Sequence, residues 1–247
     1  MLKGKIDFID LLAKMEDNSN KDFASIGEYQ EKSIHNCLKN YYEVDKNQQE
    51  VKIGNYIADI CNESGIIEIQ SRNFDKLRDK LDYFLDENYE VTIVYPIIVN
   101  KMIIYKQDEE GHDEIRRSPS HKNAFSGLAE LYKIKNYLKN KHLHFQFVYL
   151  DAIDFKEKLK IKKYYGPKSK SIDKIPLNLQ KEEYFDSYFD FKNILEGIDT
   201  KFSAKELAKI TKSQLKDVRI SLTLLKFLGL IEHVENKGRE FVYEVIK

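Results

Sequence analysis

Residues 51–70 read VKIGNYIADICNESGIIEIQ, and their strand and turn pattern is the strongest indication of the fold. Residues 51–60 come close to alternating between apolar and polar side chains, the tetrapeptide NESG at 62–65 is typical of a turn, and residues 66–70 are again strand-like. The pattern predicts a β-hairpin whose second strand is IIEIQ.

Apolar periodicity predicts helices and further strands around this hairpin. The helical pattern runs over 26–42, 73–85 and 125–137, and strands are predicted at 91–95 (VTIVY, ended by Pro96), 101–106 and 143–150. Such an order predicts an α/β fold in which helices flank a mixed sheet.

The C-terminal segment has a different pattern, with two helices and a hairpin in succession. Ser203 is placed to cap the helix AKELAKI, a second helix (QLKDVRISLTLLKFLGL) ends at Gly229, and a hairpin turns around Gly238. Two helices joined by a short turn and followed by a hairpin predict a small winged-helix domain.

The chain is therefore expected to have three parts. Residues 1–154 form the α/β domain, 155–200 form a connector, and 201–247 form the winged helix. The connector begins with a lysine-rich stretch (KEKLKIKKYYGPKSK), predicted as a linker, and continues with an acidic, aromatic stretch that is predicted to be helical over 177–197.

Composition limits the classes of function. Lys plus Arg and Asp plus Glu each total 41, so the net charge is zero and any attraction to nucleic acid must come from local patches. Cys37 and Cys61 are the only cysteines and form no CxxC pair, and no apolar run is long enough for a membrane. We expect a cytoplasmic protein with no membrane contact.

The hairpin also carries the residues that point to chemistry. Asp59 lies near the end of the first strand, and Glu68 and Gln70, two apart, share one face of the second. Hard cations such as Mg²⁺ bind carboxylate oxygens, and nucleases use them for phosphodiester hydrolysis. Asp59 and Glu68 are the predicted metal ligands.

This order of elements, with these residues, resembles the PD-(D/E)XK nuclease superfamily, whose core has the restriction-endonuclease-like fold. The resemblance implies an endonuclease dependent on Mg²⁺ or Mn²⁺, with Asp59 as the first acid, Glu68 as the (D/E) residue and Glu31 as an additional glutamate on the first helix. Gln70 stands where a lysine is usual and offers only a neutral amide to position water. The motifs EKSIHNCLKNYY, GIIEIQSRNF, KLRDKL, VTIVYPI and RRSP are also similar to a family of uncharacterised bacterial proteins that is described as nuclease-like with a C-terminal winged helix.

Exposed basic and amide side chains supply candidate contacts to nucleic acid, DNA in the first instance. They lie after the hairpin, in the loop RRSP, on the second C-terminal helix and at the tip of the final hairpin: Arg72, Arg116, Arg117, Lys212, Gln214, Lys216, Arg219, Lys237 and Arg239. Each is equally compatible with an ordinary solvated surface. Many nucleases of this type act as homodimers, so a homodimer is compatible with this interpretation.

Two alternatives to a nuclease stay open at this point. The glutamine at position 70 favours an inert nuclease-fold protein that binds nucleic acid or acts as a regulatory module. The balanced charge favours a protein–protein module that binds through the acidic, aromatic segment 182–191.

Overall fold

A computed structural model describes residues 7–19, 33–105, 114–118, 122–158, 169–198 and 200–246. The helices are α1 (Phe8–Ser19), α2 (Ser33–Tyr42), α3 (Arg78–Asp86), α4 (Ala124–Leu131), α5 (Ala204–Ile210) and α6 (Leu215–Leu228). The strands are β1 (Gln49–Ile53), β2 (Tyr56–Asn62), β3 (Gly65–Ile69), β4 (Val91–Tyr105), β5 (Glu114–Arg117), β6 (Leu143–Lys158), β7 (Ser169–Phe185), β8 (Lys201–Ser203), β9 (Ile231–Lys237) and β10 (Glu240–Val245). No helix of the described residues is both long enough and apolar enough to cross a membrane.

Seven of these strands form one mixed sheet in the order β1-β2-β3-β4-β6-β7, and β5 pairs with the last part of β4. The β3–β4 and β4–β6 pairs are parallel, whereas the other pairs are antiparallel. The predicted α/β fold with helices flanking a mixed sheet is confirmed at this level.

Side chains alternate between two apolar cores, one on each face of the sheet. Along β4, Ile93 and Tyr95 belong to the larger core, which also contains residues of α3, α4 and α6. Val94, between them, packs into the smaller core with Ile67 of β3 and residues of α1 and α2. This period of two is the pattern of a strand that is buried on both sides.

The segment that was predicted as one strand at 51–60 contains two. A turn at Gly54 and Asn55 separates β1 from β2, so the first three strands form a meander. Gly54 has a φ of 58°, and a Cβ there would lie 2.5 Å from the Tyr83 hydroxyl oxygen. Glycine suits this turn because it readily adopts a positive φ and has no Cβ to clash with the Tyr83 hydroxyl.

The prediction that a strand ends at Pro96 is wrong, because β4 continues through the proline to Tyr105. Pairing with β3 stops at Val94, whose carbonyl accepts from the Gln70 N–H. N–H and C=O groups alternate sides along a strand, so the missing N–H of Pro96 faces the β3 side, beyond the last described pairing with β3. The proline therefore removes no bond from the β4–β6 ladder.

The predicted connector at 155–200 is largely part of the sheet. The expected boundary at residue 154 falls inside β6, and β7 pairs with β6 from Phe145↔Phe185 to Lys158↔Ser169. The helix that was predicted over 177–197 is therefore a strand as far as Phe185, followed by a 3₁₀ helix at Tyr188–Leu195. In this part of β7, Pro176 is buried, Leu177 and Asn178 are exposed and Leu179 is half-buried, so burial does not follow the simple alternation by which a strand is recognised.

The C-terminal elements follow the predicted order of helix, turn, helix and hairpin, and β8-β10-β9 form a small antiparallel sheet. Ser203 caps α5 in a capping box with Glu206, and Gly229 ends α6 with a φ of 79°. Helix α6 packs against α4, where the Ser221 hydroxyl donates to the Phe125 carbonyl at 2.9 Å.

Candidate functional site

Asp59 and Glu68 lie opposite each other where β2 and β3 separate. The two strands pair from Asn62↔Gly65 to Ile60↔Ile67, and the next pair in the same register would be Asp59 with Glu68. The Asp59 carboxylate instead accepts the Ile69 N–H at 2.8 Å, so a side chain replaces a strand hydrogen bond. The strand separation places both carboxylates at one point of the sheet.

Glu68 is buried, with 2% of its surface exposed, and faces α3. The Lys80 ammonium of α3 donates to both of its carboxylate oxygens, at 3.0 and 2.8 Å. Burial and the nearby Asp59 charge raise the pKa of Glu68 to about 7, although Lys80 acts to lower it. Glu68 can therefore exchange a proton near neutral pH.

Asp59 has the opposite shift. The His35 Nε2 of α2 lies 3.1 Å from the Asp59 Oδ2. Burial acts to raise the pKa of Asp59, but the His35 hydrogen bond and charge and the Ile69 N–H outweigh it and hold this pKa below its usual value. Two adjacent carboxylates whose pKa values are driven apart are a feature of acid–base sites.

Gln70 does not reach the carboxylates. Its side-chain amide donates to the Arg72 carbonyl at 2.5 Å and to the Asn73 carbonyl at 3.2 Å. Asn73 has a φ of 58°, so this amide supports an unusual turn between β3 and α3. In this structure the Gln70 amide has a turn-stabilising position.

Lys80 and His35 are the residues whose place at the site the sequence did not indicate. Neither is among the site residues that the sequence predicts, because a long basic side chain or a histidine on an amphipathic helix is more often solvated than part of a site. One signal for Lys80 was available, since it lies three residues after buried Leu77 and four before buried Phe84, on the side of α3 that packs against the sheet. Glu31, the fourth predicted catalytic residue, lies outside the described residues.

The two carboxylates fit a hard divalent cation in ligand type, because Mg²⁺ takes one or two protein carboxylates and keeps several waters. Within residues 7–19, 33–105 and the other described ranges, no three His, Cys, Asp or Glu side chains are grouped so that they could hold a metal ion. Asp59 and Glu68 would hold such a cation together with water or substrate oxygens.

The predicted nucleic-acid contacts are dispersed over the surface. Arg116 and Arg117 lie on exposed β5, which pairs with β4 at 102–105, whereas Glu68 pairs with Ile93. At ~3.3 Å per residue that separation is on the order of 30 Å. The Arg116 guanidinium donates to the Tyr105 hydroxyl at 2.5 Å, and Arg72 is exposed next to the turn after β3.

The predicted nucleic-acid contacts of the C-terminal region are exposed, but acidic side chains lie near some of them. At the hairpin tip the Lys237 ammonium lies 3.7 Å from a Glu206 carboxylate. The N-terminal half of α6 approaches α4, where the Ser126 hydroxyl lies 3.3 Å from the Asp217 carboxylate. The exposed candidates of this region are Lys212, Gln214, Lys216, Arg219, Lys237 and Arg239.

Comparison with known proteins identifies the family of the region that contains this site. A family model, the domain of unknown function DUF8091, matches residues 32–186. The chain belongs to the DUF8091 family. The DUF8091 region begins just before α2 and ends just after β7, so it includes Asp59, Glu68 and Lys80.

Similarity to a further protein extends over more of the chain. An uncharacterized protein of Treponema pallidum (strain Nichols) is 25% identical over 224 residues, which cover 89% of this chain and 87% of that protein. No solved structure matches.

Proposed function

We propose that this protein is a metal-dependent nuclease that hydrolyses phosphodiesters of DNA at the Asp59–Glu68 site. The observation that carries the proposal is the position of Lys80, whose ammonium lies within 3.0 Å of both Glu68 oxygens. The superfamily resemblance calls for two carboxylates and a lysine, and glutamine replaces that lysine at position 70. Lys80 supplies an equivalent positive charge from the following helix.

Each residue has a task that matches its surroundings. Asp59 stays ionised and, with Glu68, offers oxygen ligands to Mg²⁺ or Mn²⁺. The bound cation would supply positive charge to the scissile phosphate. Lys80, with a quarter of its side chain exposed, lies where it can add a hydrogen bond to charge that develops on the phosphate.

The C-terminal elements support nucleic acid as the substrate. Their order is strand, helix, turn, helix and hairpin, and the first strand joins the hairpin in a three-stranded sheet. This order is the one expected of a winged helix, a module that places its second helix against DNA. The exposed side chains on α6 include Lys216 and Arg219. This face would hold the duplex while the carboxylate site acts on the strand.

A second candidate function, an inert nuclease-fold module that binds nucleic acid, has its own supporting observation. Lys80 engages both Glu68 oxygens, and the Gln70 amide is engaged by two backbone carbonyls. All of these polar groups are therefore satisfied within the protein. An inert scaffold would keep this arrangement and bind no metal.

The test is nicking of supercoiled plasmid by purified protein with Mg²⁺ or Mn²⁺. We expect wild type to nick the plasmid, Asp59→Asn and Glu68→Gln to abolish nicking, and Lys80→Met to lower the rate about 100-fold, the size of effect seen when a transition-state donor is removed. Lys80→Arg keeps the charge and should retain part of the activity.

Glu183→Gln is the matched control, because it makes the same chemical change in the more exposed Lys181–Glu183 pair of β7. This variant should nick at the wild-type rate, and thermal melting should show that every variant is folded. If wild type leaves DNA and RNA intact with each metal, the nuclease proposal fails and the inert module takes its place.

A further inference from the structure

A row of alternating aromatic rings and lysines lies on the surface where α6 meets the segment after α4. Its members come from three parts of the chain, the 3₁₀ helix after β7, the segment 132–139 and the end of α6. We call this row the lysine–aromatic ladder, and its members in spatial order are Phe189, Tyr188, Lys139, Phe227, Lys135 and Tyr132.

Successive members of the ladder are in contact. The Phe189 and Tyr188 rings stack with centroids 4.1 Å apart and planes inclined by 29°. The Lys139 ammonium lies 5.7 Å from the Tyr188 ring centroid and 5.9 Å from that of Phe227. The Lys135 ammonium lies 4.9 Å from the Phe227 centroid and 4.8 Å from that of Tyr132. Each lysine is thus placed between two rings.

The ladder is accessible and positively charged. Phe189 is 56% exposed and Phe227 45% exposed, although both are large apolar side chains. Among the described residues no carboxylate forms an ion pair with Lys135 or Lys139. The nearest lysine along the chain, Lys133, differs because it pairs with Glu130 at 2.7 Å. The two ladder lysines therefore keep their charge for an outside partner.

This combination matches a single-stranded nucleic acid in its chemistry. Such strands are bound by fixed cations along the phosphates and by aromatic side chains on which unpaired bases stack. The ring contacts hold the lysine ammonium groups in place, which lowers the conformational entropy lost on binding. An acidic protein would use the two charges but would leave the exposed Phe189 ring without a matched partner.

We propose that the lysine–aromatic ladder binds single-stranded nucleic acid, with Lys135 and Lys139 on phosphates and Phe189 stacked against an unpaired base. The nature of the ligand rests on the proposed function, but binding here does not require cleavage. The ladder would then hold the unpaired strand, on the same side of the sheet as α3 and Lys80. A nuclease with this surface would prefer substrates that contain single-stranded segments.

The test is fluorescence anisotropy with labelled oligo-dT and with a duplex of equal length, in EDTA so that no strand is cut. Wild type should bind the single strand more tightly than the duplex. Lys135→Ala with Lys139→Ala should weaken oligo-dT binding at least tenfold and lower the slope of log affinity against log salt by about 1.4, since each single-strand phosphate contact contributes about 0.7. Phe189→Ala should weaken binding about tenfold with an unchanged slope.

Two further variants separate charge from packing. Lys135→Arg with Lys139→Arg keeps both charges and ring contacts and should bind as wild type does. Lys181→Ala removes another lysine from an aromatic ring, 4.3 Å from the Tyr149 centroid and outside the ladder, and should leave binding unchanged.

The outcomes distinguish this proposal from the nuclease proposal. If wild type does not bind oligo-dT, or if the double alanine variant is folded and binds as Lys181→Ala does, the ladder proposal is overturned. If the ladder variants lose binding while wild type cleaves no substrate, the ladder stands and the nuclease proposal alone fails. If the ladder variants lose binding of duplex and single strand equally, the single-strand preference is wrong.

Discussion

Glu68 and Glu90 are two glutamates that lie against cationic or ionisable side chains of the same fold, and their pKa values shift in opposite directions. Glu68 is buried against one lysine, and burial raises its pKa to about 7. The Glu90 side chain is 51% exposed and lies against His144 and His142, whose hydrogen bonds hold its pKa below the usual value. A neighbouring cation therefore does not by itself determine the protonation state of a carboxylate. Burial removes the water that stabilises the charged form, and this effect can outweigh the cation.

The two clusters also differ in their hydrogen-bond partners. The His144 Nδ1 lies 2.7 Å from the Asp186 carbonyl oxygen and its Nε2 lies 2.8 Å from a Glu90 oxygen. The His142 Nδ1 lies 2.6 Å from the other Glu90 carboxylate oxygen. The Glu90 carboxylate is therefore held between two histidines and remains half exposed, whereas the Glu68 carboxylate is buried against one lysine.

Removing the lysine should have the largest effect on stability. Lys80→Ala leaves Glu68 buried without its cation, and the loss of one partner from a buried pair costs about 3 kcal/mol. We expect urea unfolding at pH 8 to show a loss of this size. Lys181→Ala, in a more exposed pair, should lose less than about 1 kcal/mol. Equal losses of stability in the two variants would show that the buried Lys80–Glu68 pair contributes no more than the exposed Lys181–Glu183 pair.

The pH dependence of stability should differ between wild type and Glu68→Gln. The pKa of Glu68 is higher in the folded protein than the usual 4.5, so between these values the folded state binds more protons than the unfolded chain. Stability should therefore fall as the pH rises from about 4.5 to 7, by on the order of 1 to 3 kcal/mol more than in Glu68→Gln. Urea unfolding at several pH values measures the difference, and parallel curves would contradict it.

The carboxylate pair could be predicted from sequence because its geometry is local. Asp59 and Glu68 flank one tight turn, so the hairpin register alone brings them together. Lys80 could not be placed, because its position depends on how α3 rotates over β3. Helix was wrongly predicted for the start of 177–197, since this part of β7 becomes a strand by pairing with β6, in pairs that range from Asp151↔Asn178 to Phe145↔Phe185.

Asp59→Asn should lower the pKa of Glu68 without any change to Glu68 itself. The Asp59 charge helps to raise this pKa, so its neutralisation should lower the pKa of Glu68 and move the pH-dependent loss of stability to more acidic pH. The asparagine oxygen can still accept the Ile69 N–H, which preserves the strand separation. NMR titration of the Glu68 carboxyl carbon measures the shift, and an unchanged midpoint would show that burial alone sets this pKa.

Glu90→Gln should have the smallest effect, because its carboxylate is half exposed. Removal of the charge weakens both histidine contacts, and pairs at such exposure contribute less than about 1 kcal/mol. The folded pKa of Glu90 is lowered, so its contribution is present above the usual value of 4.5 and is lost as the pH falls through the folded value. Wild type and Glu90→Gln should therefore differ in urea unfolding at pH 6 and converge in strong acid. If the difference in the free energy of unfolding grew as the pH fell, the prediction would be wrong. The folded protein would then favour the protonated form of Glu90, as it does for Glu68.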